Sequence, residues 1–208
     1  MKSSFVISPS GLLLSDIKKI ISDKLNIKLS KESIKRIKKN RDFLDKKLSD
    51  NNQVLYGINT GFGSLCNELI SNSDLKKLQV NLVKSHACGV GKEIDLPIVK
   101  LMLLLKVNAL SLGFSGVKID TIEKLIFLFN NDILPVVYES GSLGASGDLA
   151  PLAHLSLPLI GEGMVNFNNK KVSAKEIFNS FSEDVLELDS KEGLALLNGT
   201  QFMSAYAT

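Results

Sequence analysis

Gly141-Ser142-Leu143-Gly144-Ala145-Ser146-Gly147-Asp148-Leu149-Ala150-Pro151-Leu152-Ala153-His154 is a glycine-rich loop that runs into a helix start. Three small residues, Ala145, Ser146 and Gly147, stand at its centre. Gly147 has no Cβ, so its amide nitrogen can approach the carbonyl carbon of Ala145 closely. Attack there with loss of water would close a five-membered ring. Departure of the Ser146 hydroxyl with its Cα proton would then leave an exocyclic alkene, an electrophile that no standard side chain supplies. Other loop types fit less well. A phosphate-binding loop needs G-x-x-x-x-G-K-[ST], but no lysine follows here and Asp148 would repel phosphate at the helix start. A nucleophile elbow needs G-x-S-x-G, and Asp148 occupies its last glycine position. An ordinary tight turn, capped by Asp148 with Pro151 in the first helical turn, accounts for the same residues.

Three further blocks bear on that choice: Leu55-Tyr56-Gly57-Ile58-Asn59-Thr60-Gly61-Phe62-Gly63, Ser85-His86-Ala87-Cys88-Gly89-Val90-Gly91 and Glu192-Gly193-Leu194-Ala195-Leu196-Leu197-Asn198-Gly199-Thr200-Gln201. A weaker fifth runs from Asn108 to Gly116. In order and spacing, the set resembles the histidine and aromatic amino acid ammonia-lyases over nearly the whole chain. The resemblance implies that Ala145, Ser146 and Gly147 form a 4-methylidene-imidazol-5-one (MIO), with Asp148 assisting. It implies that Tyr56 is a general base or relay, which requires a lowered tyrosine pKa. It implies that Asn198 holds ring and substrate, and that Ser85 and His86 recognise an imidazole substrate. Tyrosine- and phenylalanine-selective members carry His-Leu or Phe-Leu at that pair.

The implied reaction is non-oxidative deamination of L-histidine to trans-urocanate and ammonia, a carbon-nitrogen lyase activity. A tyrosine or phenylalanine ammonia-lyase or aminomutase, or a non-catalytic fragment or structural subunit, are the other readings. Each residue also has a plainer one: Tyr56 packed beside a glycine-shaped turn, His86 as a structural histidine at a helix end, Asn198 as a helix cap. The glycines around Tyr56 make no dinucleotide fingerprint, because Cys66 stands where a third glycine belongs. No metal site is expected: His86-x-Cys88 lacks the further cysteine pair and the glutamate of zinc deaminases.

Composition narrows the classes. A net charge of +3 is too balanced to imply nucleic acid. Arg36 and Arg41 are the only arginines, which provides poorly for bidentate recognition of phosphates or bases. Two cysteines make neither a disulfide scaffold nor a zinc site, so reduced thiols in a cytoplasmic protein are expected. The apolar run Leu101 to Leu105 is too short to span a bilayer, and no signal peptide is evident. Family members are much longer, and their missing part supplies an arginine for the substrate carboxylate. Neither Arg36 nor Arg41 lies in a site motif. The expectation is therefore a single domain over 1–208, the N-terminal part of an ammonia-lyase with its C-terminal helical half absent. Alone it should be inactive, with an unclosed loop and a tendency to self-associate, where the family forms tetramers.

The expected fold is mainly α, a bundle-like arrangement with small β-hairpins and the glycine-rich cofactor loop. Phe5-Val6-Ile7 and Leu12-Leu13-Leu14 read as an N-terminal hairpin. Asp16 to about Lys24 reads as a helix capped by Ser15, and Ser30 caps a longer one with an apolar stripe and a solvated lysine face. Asp74 opens a helix ending near His86. Asp95 opens another, with Pro97 in its first turn, that is apolar nearly all round and so central. Asp120 and Glu123 read as a capping box, as do Ser173 and Glu176. Val165 to Val172 is a hairpin turning at Asn168-Asn169. His154 packs on the helix after the glycine loop, and Ser190 starts the last clear helix.

Overall fold

The computed structural model describes residues 3–50, 55–60, 70, 74–142 and 147–208. The fold is mainly helical, with three small sheets among the described residues. The first layer is built from β1 (Ser4–Ile7), α1 (Leu14–Ser22), β2 (Asn26–Leu29) and α2 (Lys31–Asp50). The N-terminal hairpin expected from the sequence does not form. β1 pairs with β2 in parallel, Ser4 opposite Asn26 and Ile7 opposite Leu29, with α1 as the crossover. Leu12-Leu13-Leu14 leads into a helix because the following residues bury Ile17 and Ile20 at helical spacing. Ser15 is not its cap. Leu13 is, and the Leu13 amide donates to the Asp16 carboxylate. The free edge of β2 is finished by a side chain: Asn130 accepts from the Ile27 N–H and donates to the Ile27 carbonyl.

Ser30 accepts from the Ser33 amide at the start of α2. Ile37 and Leu44 face inward, while Lys35, Lys38, Lys39, Lys46 and Lys47 are exposed. Arg41 is the exception on this helix. Its guanidinium is buried and donates to the Gly116 and Ser190 carbonyls, so it ties α2 to two distant loops.

The centre is α4 (Leu96–Ser111). Val99, Met102, Leu103, Leu104 and Val107 are wholly buried, which matches its all-round apolarity. It packs on α5 (Ile119–Asn130) and on the C-terminal helix described below. α5 is not opened by its own capping box. Lys118 is its N-cap, and the buried carboxylate of Glu192 accepts from the Lys118 amide and from the Thr121 hydroxyl.

Five more short elements frame the motif loops: α3 (Leu75–His86), β3 (Val90–Glu93), β4 (Leu134–Pro135), β5 (Tyr138–Ser140) and α6 (Leu149–Ser156). β3 and β5 are antiparallel. A 3-10 turn follows, then the hairpin of β6 (Met164–Phe167) and β7 (Lys170–Ser173), whose turn residues Asn168 and Asn169 both have positive φ. Ser173 caps α7 (Ala174–Ser180) by accepting from the Glu176 amide. The chain ends with α8 (Glu192–Leu197) and α9 (Gln201–Ala207). Ser190 does not cap α8. Lys191 precedes that helix in a left-handed conformation, and Ser190 serves Arg41 instead. Among the described residues no helix is long and apolar enough to cross a membrane.

Candidate functional site

The pairing of β3 with β5 sets the loop after His86 beside the loop that starts at Gly141. The two backbones come so close that a Cβ on Gly141 would meet the Gly89 Cα at 3.1 Å. His154, buried on α6, completes the junction. Its Nε2 accepts from the Gly89 amide at 3.0 Å, and its ring meets Tyr138 edge-on at 5.0 Å between centroids. Burial pushes the His154 pKa below its ordinary 6.5. Only an unprotonated Nε2 can accept that N–H, so the ring is neutral with its proton on Nδ1. His154 thus packs as expected, and it also anchors the Ser85-His86 segment.

His86 ends α3. Its Nδ1 lies 2.8 Å from the Leu82 carbonyl and 3.2 Å from the Ser85 hydroxyl. A carbonyl only accepts, so the Nδ1 proton points there, and in the neutral ring Nε2 is an acceptor. The Ser85 hydroxyl donates to the same carbonyl. Cys88, two residues on, is exposed.

Seven residues before His86, on the same face of α3, Gln79 is fully buried. Its Oε1 accepts from the Gly193 amide of α8 at 2.8 Å, and its Nε2 lies 3.4 Å from the Ile58 carbonyl. One side chain therefore links the helix of His86, the turn of Tyr56 and the helix that leads to Asn198. The Tyr56 turn is braced from within: Asn59 accepts from the Leu55 amide and Thr60 from the Gly57 amide. Tyr56 itself is exposed. Gly61, Gly63 and Cys66 lie outside the described residues, as do Leu143, Gly144, Ala145 and Ser146.

Gly147 and Asp148 are described, and they are locked onto the Asn198 turn. Gly147 has φ +98°, and a Cβ there would stand 2.6 Å from the Gly199 carbonyl oxygen. Only glycine fits both restrictions. The Asp148 amide donates to that same oxygen at 2.8 Å. The Asp148 carboxylate is fully buried. One oxygen accepts from the Ser142 hydroxyl, and the other accepts from the Phe202 and Met203 amides at the start of α9. Asp148 is therefore not the side-chain cap of the helix that follows it. It caps α9, more than fifty residues away in the chain. Asn198 is exposed and ends α8, as a C-cap in extended conformation. Its carbonyl accepts from the Lys106 ammonium of α4 at 2.9 Å.

Sequence reasoning missed Gln79, Lys106 and Glu192. Glu192 does lie within a quoted motif, but Gln79 and Lys106 carry no sequence signal beyond a polar residue on an otherwise apolar helical face. The arrangement comprises an imidazole at a helix end, an exposed phenol on a braced turn, an exposed amide on a pinned turn, and a glycine at 147 with no room for a Cβ. These groups can exchange protons and hydrogen bonds with a small polar molecule. Ala145 and Ser146 lie outside the described residues, and Gly147 fits an MIO group in that its missing Cβ leaves the backbone nitrogen unhindered for ring closure.

A family model described as aromatic amino acid lyase matches residues 12–208. A protein of Legionella pneumophila named histidine ammonia-lyase is 48% identical over 207 residues, which is 100% of this chain and 41% of that one. The crystal structure of histidine ammonia-lyase from Trypanosoma cruzi superposes with a TM-score of 0.87 at 35% identity, covering 97% of this chain and 39% of that one. The phenylalanine aminomutase of Pantoea agglomerans gives 0.87 at 30% identity, covering 98% and 39%. The chain thus spans about two fifths of the length of the relatives it matches. On its motifs, its fold and these likenesses, the chain belongs to the aromatic amino acid lyase family.

Proposed function

We propose that this chain provides catalytic loops of a histidine ammonia-lyase, which converts L-histidine to trans-urocanate and ammonia. The observation that carries the reading is the junction of Gly147 and Asp148 with Gly199, directly beside Asn198. An ordinary turn needs neither a buried carboxylate across two loops nor a glycine pressed against a second glycine. In this reading Ala145, Ser146 and Gly147 form the MIO group, which supplies the electrophile that makes the amine a leaving group.

The remaining work falls to the chain's own residues. Asp148 holds the Gly147 backbone against Gly199, with the α9 amides neutralising its charge. Tyr56 takes or relays the β-proton. Asn198 orients the substrate with its side-chain amide. His86 Nε2 accepts a hydrogen bond from the N–H of the substrate imidazole, a tautomer set by the Leu82 carbonyl. The name of the Legionella relative supports histidine over tyrosine or phenylalanine. The cytoplasm is the proposed location, and a self-associated complex of longer chains the proposed working form. The 208 residues by themselves leave Tyr56 and Asn198 exposed, and we infer that they are inactive alone.

The test replaces the matched segment of the Legionella enzyme by this chain and follows urocanate by its ultraviolet absorbance. Activity on histidine is expected, together with an intact mass two waters lighter than the unmodified sequence. Changing Ser85→His and His86→Leu together should move the preference from histidine towards tyrosine. An unchanged preference would reject the imidazole-recognition role.

A further inference from the structure

Lys106 is 1% exposed on α4, where the other buried side chains are apolar apart from Ser111, whose hydroxyl donates to the Asn108 carbonyl of its own helix. Its Nζ donates to the Asn198 carbonyl, its hydrogen-bond partner among the described residues. Burial pushes its pKa from the ordinary lysine value to about 7. An amine there is costly to desolvate, and methionine or leucine would fill the same space. What the amine adds is the one contact.

That contact falls on a joint whose other backbone groups are also pinned. The Asn198 amide donates to the Leu194 carbonyl at 3.0 Å, closing α8. The next carbonyl, that of Gly199, accepts from the Asp148 amide. Gly199 has φ +146°, so two consecutive carbonyls are held by different elements, α4 and the glycine-rich loop. The last carbonyls of a helix have no partner within it, and the Asn198 carbonyl sits at such an end. With its amide and its carbonyl both fixed, Asn198 retains little freedom except at its side chain.

We propose that Lys106 is a positioning residue for the lyase reaction: by holding the Asn198 carbonyl from inside the core, it sets the direction in which the exposed Asn198 amide is presented. This rests on the lyase reading above. Lys106 acts through Asn198 and touches no substrate.

The chain labelled with carbon-13 at lysine Cε and asparagine carbonyl tests it by NMR. Lys106 should titrate near 7, against about 10.4 for an ordinary lysine, and the Asn198 carbonyl should move with the same midpoint. In Lys106→Met that carbonyl shift should vanish, and amide exchange from Asn198 to Met203 should quicken at least about tenfold. Lys106→Arg, which keeps a donor, should retain the protection. In the chimeric enzyme, Lys106→Met should lower kcat/KM for histidine about tenfold or more, with Lys106→Arg restoring most of it. If Lys106→Met does not fold, the wild-type titration and the arginine variant still decide the matter. An Asn198 carbonyl indifferent to the titration of Lys106, or wild-type kcat/KM in a folded Lys106→Met, would overturn the proposal. Coupled titration with no urocanate in any arm upholds the positioning of Asn198 and sinks the lyase reading alone.

Discussion

Replacing Asp148 by alanine removes a carboxylate that three donors share across two loops: the Ser142 hydroxyl and the Phe202 and Met203 amides. Hydrogen bonds to a charged group contribute about 1.5–3 kcal/mol each. The three do not add, because the start of α9 is partly open to water, with Met203 exposed, and freed amides there can rehydrate. Loss of an N-cap alone costs about 1–2 kcal/mol. Removing the carboxylate also relieves its own desolvation. The net expectation for Asp148→Ala is about 2–3 kcal/mol of lost stability. For a chain of this length that is a drop in Tm of roughly 5–10 °C. Asp148→Asn keeps an oxygen for the two amides, and Ser142 can turn its hydroxyl to accept from the new NH2 group. Only the charge against the helix start is lost, about 1 kcal/mol. Urea unfolding of the two variants and the wild type at one pH, with slopes compared to confirm the same transition, reads the difference. Equal damage from Asn and Ala would refute the argument, because it assigns most of the stabilisation to accepting geometry. So would an Ala variant within about 0.5 kcal/mol of wild type.

Gly147→Ala should cost about 2 kcal/mol or more, since it combines a positive φ with a Cβ 2.6 Å from the Gly199 oxygen; an unchanged unfolding midpoint would show that the junction yields freely. His154 gives a pH dependence whose sign follows from burial. Its folded pKa lies below the ordinary 6.5, so its contribution is present above that value and is lost as pH falls from there through the folded pKa. His154→Gln, which stays neutral and can still accept from Gly89, should lose less stability than wild type between about pH 6.5 and 5; parallel denaturation curves across that range would exclude the effect.

How much was legible without coordinates depends on the distance along the chain over which each determinant acts. The α2, α4 and α7 helices, the Asn168-Asn169 hairpin and the order of the motif loops rest on local matters. These are the recurrence of apolar residues every three or four positions, Ser30 and Ser173 as caps, and paired turn residues that tolerate positive φ. The local rules failed where a better partner lay far away. Asp120 and Glu123 were outbid by Glu192 at the start of α5. Leu12 to Leu14 were drawn into α1 while β1 found β2 across it. Asp148, which only the plainer reading of the loop as an ordinary turn makes the cap of the adjacent helix, reaches α9.

By itself the sequence determined most of the helical segments and the order of the motif blocks, because spacing and residue type act within a few residues. Only the tertiary structure decided that Gln79 joins three of those blocks, that Lys106 lies in the core against the Asn198 carbonyl, and that Gly147 is pressed onto Gly199. A buried polar group must find a partner wherever packing brings one within about 3 Å. That partner is chosen by the fold's close approaches, which no window of neighbouring residues encodes.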